Sequence, residues 1–131
     1  MALTPITITF GDGDAPVVNP DSSLANGAMT FTLTSSEGVP ISIEDSGTGE
    51  TVLPVPQVAA VNNGQLLHYP VGGAGYTPFI LLANDDVTTV PVGSYYLVHE
   101  ELAAGNVDDW QFIVHAAAVD GFESLVSQRP S

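Results

Sequence analysis

Apolar and hydroxyl-bearing residues alternate one by one in separate stretches of this chain, and a period of two is compatible with strands and little else. Thr4-Pro5-Ile6-Thr7-Ile8-Thr9-Phe10 shows the pattern first. Successive side chains of a strand point to opposite faces, so alternation gives one apolar face and one wet face. Residues Ala28 to Thr34 repeat it, with Met29, Phe31 and Leu33 on one side. Tyr95 to His99 is rich in aromatic and branched residues, which suit a pleated surface. Trp110 to His115 places Trp110, Phe112 and Val114 on a common face. No segment carries a 3.6-residue apolar period.

Thirteen glycines and ten prolines punctuate these stretches. Gly11-Asp12-Gly13-Asp14-Ala15-Pro16, continuing through Pro20-Asp21-Ser22-Ser23, has turn chemistry throughout and reads as a loop or extended arm over residues 11–26. Ile41-Ser42-Ile43 reads as a short strand and Glu44 to Glu50 as a solvated acidic loop. In Thr51 to Val61, Pro54 and Pro56 make the first half an edge or irregular piece. Asn62-Asn63-Gly64-Gln65 sits between two apolar runs and predicts a hairpin, because both turn residues need positive φ. Phe79 to Ala83 is a strand that Asn84-Asp85-Asp86 ends. Turns follow at Pro91/Gly93 and Gly105-Asn106. Asp120 to Val126 reads as one helical turn before a tail at 127–131. These readings predict one all-β domain over residues 1–131, a single antiparallel β-sandwich, Ig-like or related, of about eight short strands. The expected core is Phe31, Leu33, Leu81, Leu97, Phe112 and Val114.

Charge restricts partners more than fold. Fifteen acidic residues face a single base, Arg129, giving a formal net charge of −14 with no lysine. Charged residues are nevertheless only 12% of the chain and apolar ones 44%, so composition does not imply disorder. The summed field repels phosphate backbones and anionic membranes, which argues against nucleic-acid and membrane partners. It also removes the basic side chains that most nucleotide, phosphate and carboxylate sites use. The absence of cysteine excludes disulfides, thiolate metal sites and cysteine nucleophiles. Met1 to Phe10 has no basic residue and no long apolar run, so no signal peptide is expected. The longest apolar stretches, such as Phe79 to Ala83, are too short to span a bilayer.

Residues patterned for chemistry are few. His68, His99 and His115 fall on different strands and share no ligand spacing, so half-exposed strand histidines are expected rather than a metal site. His99-Glu100-Glu101 lacks the second histidine of a helical zinc motif. Gly11-Asp12-Gly13-Asp14 and Asn84-Asp85-Asp86 are oxygen-rich but match no calcium loop, and read as solvated turns whose side chains bond their own backbone. Gly72-Gly73-Ala74-Gly75 lacks the Lys-Ser/Thr of a phosphate cradle, and no nucleophile-elbow motif occurs. Glu100 and Glu101 alternate faces and cannot jointly flank a substrate. Tyr69, Tyr76, Tyr95, Tyr96 and Trp110 form the one set able to build a sugar-stacking platform, although core and interface roles suit them better. The expectation is no catalytic residues, no metal, no cofactor and no enzymatic activity, leaving a binding or structural module.

Several phrases in order carry a resemblance. They are Gly27-Ala28-Met29-Thr30-Phe31-Thr32-Leu33-Thr34, then Asn63-Gly64-Gln65-Leu66, then Leu82-Ala83-Asn84-Asp85-Asp86. Pro91-Val92-Gly93-Ser94-Tyr95-Tyr96-Leu97-Val98-His99-Glu100, Trp110-Gln111-Phe112-Ile113-Val114 and Phe122-Glu123-Ser124-Leu125-Val126 complete them. Over residues 3–126 the succession resembles the β-sandwich domain of minor tail proteins from phages of actinobacteria, and small phage head decoration proteins. Two departures stand out. The family domain usually continues into fibre or collagen-like sequence, while this sequence stops at Ser131, which suggests a stand-alone particle component. The usual Glu-Arg after the Tyr-x-Val strand is here Glu100-Glu101, which suggests a lost charge partner.

The resemblance implies a non-enzymatic phage virion structural protein, with capsid decoration on the outer surface of the head as the leading expectation. A tail or baseplate adaptor is the alternative within the family. A carbohydrate-binding module is the alternative from another class, and a small metal-dependent enzyme a remote fourth. The implied partners are the major capsid protein or tail proteins and further copies of the chain. The implied location is the particle exterior, and the host cytoplasm during assembly. The polar arm at 11–26 is the segment expected to reach a neighbour. Pro5, Pro54 and Pro56 are the expected edge guards, since the usual lysine guards are absent.

Overall fold

In the computed structural model, residues 3–11, 16–68, 77–117 and 122–129 are described. The alternating stretches become strands: β1 (Pro5–Thr9), β2 (Gly27–Thr34), β3 (Ile43–Asp45), β4 (Thr51–Val52), β5 (Gln57–Asn62) and β6 (Gln65–His68) come first. β7 (Thr77–Leu82), β8 (Thr89–Val90), β9 (Tyr95–Leu102), β10 (Trp110–Phe112) and β11 (Phe122–Ser124) follow, and a single 3-10 turn at Leu125–Ser127 is the only helical element among the described residues. The protein is all-β, as the alternation predicts.

One eight-stranded sheet runs β10-β9-β2-β5-β6-β7-β1-β11, and a three-stranded sheet runs β4-β3-β8. The large sheet curls at its middle. Among the described residues β6 and β7 share two residue pairs, Leu67 with Pro78 and His68 with Thr77. The β7-β1-β11 portion then lies across the β10-to-β5 portion, giving a sandwich-like fold from one sheet. Phe31 on β2 and Phe79 on β7, three positions apart in sheet order, meet at 5.0 Å between ring centroids. Phe112 touches Phe31, Tyr96 and Trp110 at 5.8–5.9 Å, so one aromatic cluster joins β2, β7, β9 and β10.

The facing follows the alternation closely. Ile6 and Ile8 of β1, Met29, Phe31 and Leu33 of β2, Phe79 and Leu81 of β7, and Trp110, Phe112 and Val114 are all buried. Leu97 corrects the expected core. β9 turns Tyr96, Val98 and Glu100 inward, so Leu97 faces the other way and is only half-buried opposite Gln111. A run of apolar residues cannot reveal which of two registers faces the core.

The Asn-Gly hairpin forms as predicted, with φ of 51° at Asn63 and 79° at Gly64. Gly64 has a second reason to lack a side chain, since a Cβ there would stand 2.6 Å from the Val17 carbonyl oxygen. That contact anchors the segment expected as an arm. The Val17 amide donates to the Gly64 carbonyl (2.9 Å), the Gly64 amide to Ala25 (2.8 Å) and the Ala25 amide to Val17 (3.0 Å). Residues 16–26 therefore lie as a small loop against the hairpin. Asp12, Gly13, Asp14 and Ala15 fall outside the described residues.

Among the described residues eleven strands stand where about eight are expected, because β4 and β8 join β3 in a second small sheet and β11 forms where a helical turn is expected. Ile41 is not in a strand: its amide returns to the Leu33 carbonyl (3.2 Å), and pairing begins at Ile43. Glu44 and Asp45, expected in a loop, belong to β3. Of the expected helical turn over Asp120 to Val126, Asp120 and Gly121 lie outside the described residues, and a 3-10 turn is present at Leu125–Ser127. Phe122–Ser124 instead pairs parallel to β1, the one parallel ladder in an otherwise antiparallel structure of the described residues. Pro5 does start its strand, but β1 lies between β7 and β11 and is not an edge.

Candidate interaction surface

The buried charges determine what the surface has left. β9 carries Glu100 inward, where it is 2% exposed. Arg129 reaches it from the end of the chain, donating from Nε to Oε2 at 2.6 Å and from Nη2 to Oε1 at 2.8 Å. Trp110 Nε1 donates to Oε2 at 2.9 Å and the Val107 amide to Oε1 at 3.3 Å. Burial pushes the Glu100 carboxyl up, but the bonds from Arg129, Trp110 and Val107 outweigh it, and the acid stands below the usual range. The same bond holds Arg129 above its ordinary value. Glu100 therefore has a charge partner in Arg129, where the sequence reading expects one to be lost. Nothing local to Glu100 marks it as buried; the one signal in the sequence is that Arg129 is the single lysine or arginine able to neutralise a buried acid.

The tail makes a second attachment. Gln128 presents its side-chain amide to the backbone of Ile113, accepting from its N–H at 3.2 Å and donating to its carbonyl at 3.0 Å. This copies a strand pairing at the end of β10, an edge of the large sheet.

The oxygen-rich loop after β7 is structural. Asn84 accepts from the Val114 amide (2.9 Å) and donates to the Ser94 carbonyl (2.8 Å). Asp85 accepts from the Ala116 amide (2.7 Å) and Asp86 from the Thr4 amide (3.1 Å). The three side chains diverge to separate partners distant in sequence, and Asn84 is buried; the expected solvated turn bonding its own backbone is thereby corrected to a loop that pins the segments before β1 and β9 and after β10. Asp45, turned inward on β3, is held below its ordinary value by hydrogen bonds from Thr88 and Thr48.

The histidines stay apart. His68 is exposed at the end of β6. His99 Nδ1 lies 2.8 Å from Asp109, whose hydrogen bond and charge raise its pKa, with Glu101 at 4.0 Å. His115 Nδ1 lies 2.7 Å from Glu123. Among the described residues no group of three or more potential ligands is placed to hold a metal ion. Glu101 points outward while Glu100 points in, so these carboxylates do not converge.

The described aromatic residues do not form a stacking platform. Trp110 is buried against Glu100, and Tyr96 donates its hydroxyl to the Leu82 carbonyl at 2.7 Å, with burial pushing its phenol well above the usual range. Tyr95 is half-buried. Tyr69, Tyr76 and the Gly72 to Gly75 loop lie outside the described residues.

Beside neutral polar residues and histidines, the exposed surface carries acids and apolar residues. Leu53 (63%), Val55 (57%) and Ile80 (54%) surround a groove of about 170 Å³ between residues 52–57 and β7. A second groove of about 110 Å³ lies between the end of β1, the start of β6 and the half-exposed Phe122. Val87 and Val92 stand almost wholly in solvent. Exposed apolar grooves of this kind suit binding a partner. No family model, no curated protein and no solved structure matches the chain.

Proposed function

We propose that this protein is a non-enzymatic virion structural component that docks on the outer surface of a phage head as a decoration protein. The observation that carries the docking part is the Glu100–Arg129 pair. It ties the one arginine, a quarter exposed, to a buried acid, so the outer surface carries acids and apolar patches with no free lysine or arginine to offset them. Such a surface is repelled by packaged DNA and by anionic lipid, and suits the outside of a shell with apolar or basic docking sites. The phage assignment rests on the resemblance of residues 3–126 to tail and decoration sandwiches. A tail or baseplate adaptor is the alternative, with the same surface and a different address.

The test is quantitative mass spectrometry of gradient-purified particles from the source virus, with gold-labelled antibody to locate the protein. Hundreds of copies spread over the head are expected. A few copies at the tail tip would replace decoration by the adaptor reading. Absence from intact particles would end the virion reading.

A further inference from the structure

The groove beside β7 has a defined chemistry. Its floor is Phe31, Leu33 and Tyr96, and its rims are Leu53 and Val55 on one side and Ile80 on the other. Pro54 and Pro56 lie in the first rim and have no N–H to donate, so that side offers apolar side chains more than backbone bonds. An enclosed apolar cavity of about 150 Å³ holds a benzene-sized group, so this groove has room for one or two branched side chains.

Charge is fixed at one end of it. Leu82, a lining residue, pairs with Pro5 at the start of β1. The two amides just before Pro5 are each met by a carboxylate: Leu3 N donates to Glu50 at 3.3 Å and Thr4 N to Asp86 at 3.1 Å. Glu50 also precedes Thr51–Val52, whose Val52 lines the opposite rim. Two acids from distant parts of the sequence thus flank the Leu82 end of an apolar groove. A second copy of this chain is a poor occupant, because it has no lysine and its one arginine is held by its own Glu100. Anionic lipid and nucleic acid are repelled by the same acids.

We propose that this groove docks an extended apolar segment of a different protein, with a lysine or arginine placed to meet Glu50 and Asp86. The proposal rests on the docking reading above and gives that reading an address and a partner chemistry.

The test is methyl NMR of the full chain titrated with two peptides, acetyl-Arg-Leu-Val-Leu-amide and acetyl-Glu-Leu-Val-Leu-amide. The expected result is shifts centred on Ile80, Leu53 and Val55, with the arginine peptide binding about fivefold more tightly, the scale of one or two exposed ion pairs. Glu50→Gln with Asp86→Asn should bring the two peptides within about twofold, since both amides keep an acceptor for Leu3 and Thr4 while losing charge. Leu53→Ser with Val55→Ser, both at exposed positions, should abolish the shifts while leaving the rest of the spectrum intact. Equal affinity for the two peptides, shifts centred elsewhere, or shifts that follow protein concentration without peptide would each overturn the proposal, the last by making the groove a contact between copies. Particle content is measured separately. Peptide discrimination by a protein absent from particles would sink the virion reading alone, and a decorated particle with no peptide discrimination would sink the groove alone.

Discussion

Glu100 is the residue on which most of the internal polar structure converges. A carboxylate at 2% exposure is costly unless every oxygen is met, and here four donors meet two oxygens. Removing Arg129 would leave a buried charge with its counter-ion gone. Breaking such a pair ordinarily costs 3–5 kcal/mol, and since the Arg129 side chain is a quarter exposed, Arg129→Ala should cost about 2–4 kcal/mol in urea melts. The pH dependence has a definite sign. Glu100 is more acidic folded than unfolded, so its contribution is complete above the ordinary glutamate value of 4.5 and is lost as pH falls through its lowered folded value. Glu100→Gln should therefore flatten the stability profile below pH 4.5, and an unchanged slope there would place acid lability elsewhere. The aromatic cluster has a plainer reading. Phe112 is 1% exposed and touches three rings, so Phe112→Ala should cost about 3–5 kcal/mol, with a loss below about 1 kcal/mol meaning that the cluster does not carry the core.

At the scale of elements, the hairpin and the tail show how distant segments become joined. Gly64 ties β5–β6 to residues 17 and 25 through backbone bonds, at a φ that disfavours any side chain. Gly64→Ala should cost well over 1 kcal/mol and raise amide exchange at Val17 and Ala25 together, because the strain and the clash fall on one junction. Exchange confined to the hairpin would show that the 16–26 loop holds itself. The strands themselves were legible where alternation was clean: β1, β2 and the Trp110–Val114 face are read almost residue by residue from their pattern, and the Asn63-Gly64 turn from its chemistry. Legibility failed where contacts were nonlocal. The parallel pairing of β11 to β1 joins residues more than a hundred positions apart, and Phe122-Glu123-Ser124 carries no local mark of it. Leu97 was misplaced because Tyr95 to Val98 is apolar on both faces, and only the inward turn of Glu100 sets the register. The groove was invisible for the same reason, since Leu53, Val55 and Ile80 are brought together by the curl of the sheet and not by spacing.

Over the whole molecule, the charge distribution makes two expectations unusually sharp. Trypsin-like proteases need a lysine or arginine side chain in their acidic specificity pocket. This chain offers only Arg129, followed by Pro130, a bond that such enzymes cut poorly. The protein should survive trypsin intact even after unfolding in urea, while chymotrypsin under the same conditions degrades it; fragments from trypsin would reveal cleavage at Arg129. The second expectation concerns salt. Fifteen acids with one paired to Arg129 leave fourteen without a lysine or arginine partner on a 131-residue protein. Their mutual repulsion opposes the compact state, which holds them closer together than the unfolded chain does. At about 10 mM salt the screening length is roughly 30 Å, so acids across the molecule repel one another, whereas at physiological ionic strength it is about 8 Å and only near neighbours do. Raising sodium chloride from 10 to 150 mM should therefore raise Tm by several degrees, since about 1 kcal/mol corresponds to roughly 4 °C for a domain near this size. The Glu100–Arg129 pair works against that trend only weakly, because it is buried and little screened. The Arg129→Ala variant should consequently start lower and gain about as much from salt as the parent. A Tm that stays flat or falls with salt would mean that attractive pairs, such as His99 with Asp109 and His115 with Glu123, outweigh the general repulsion.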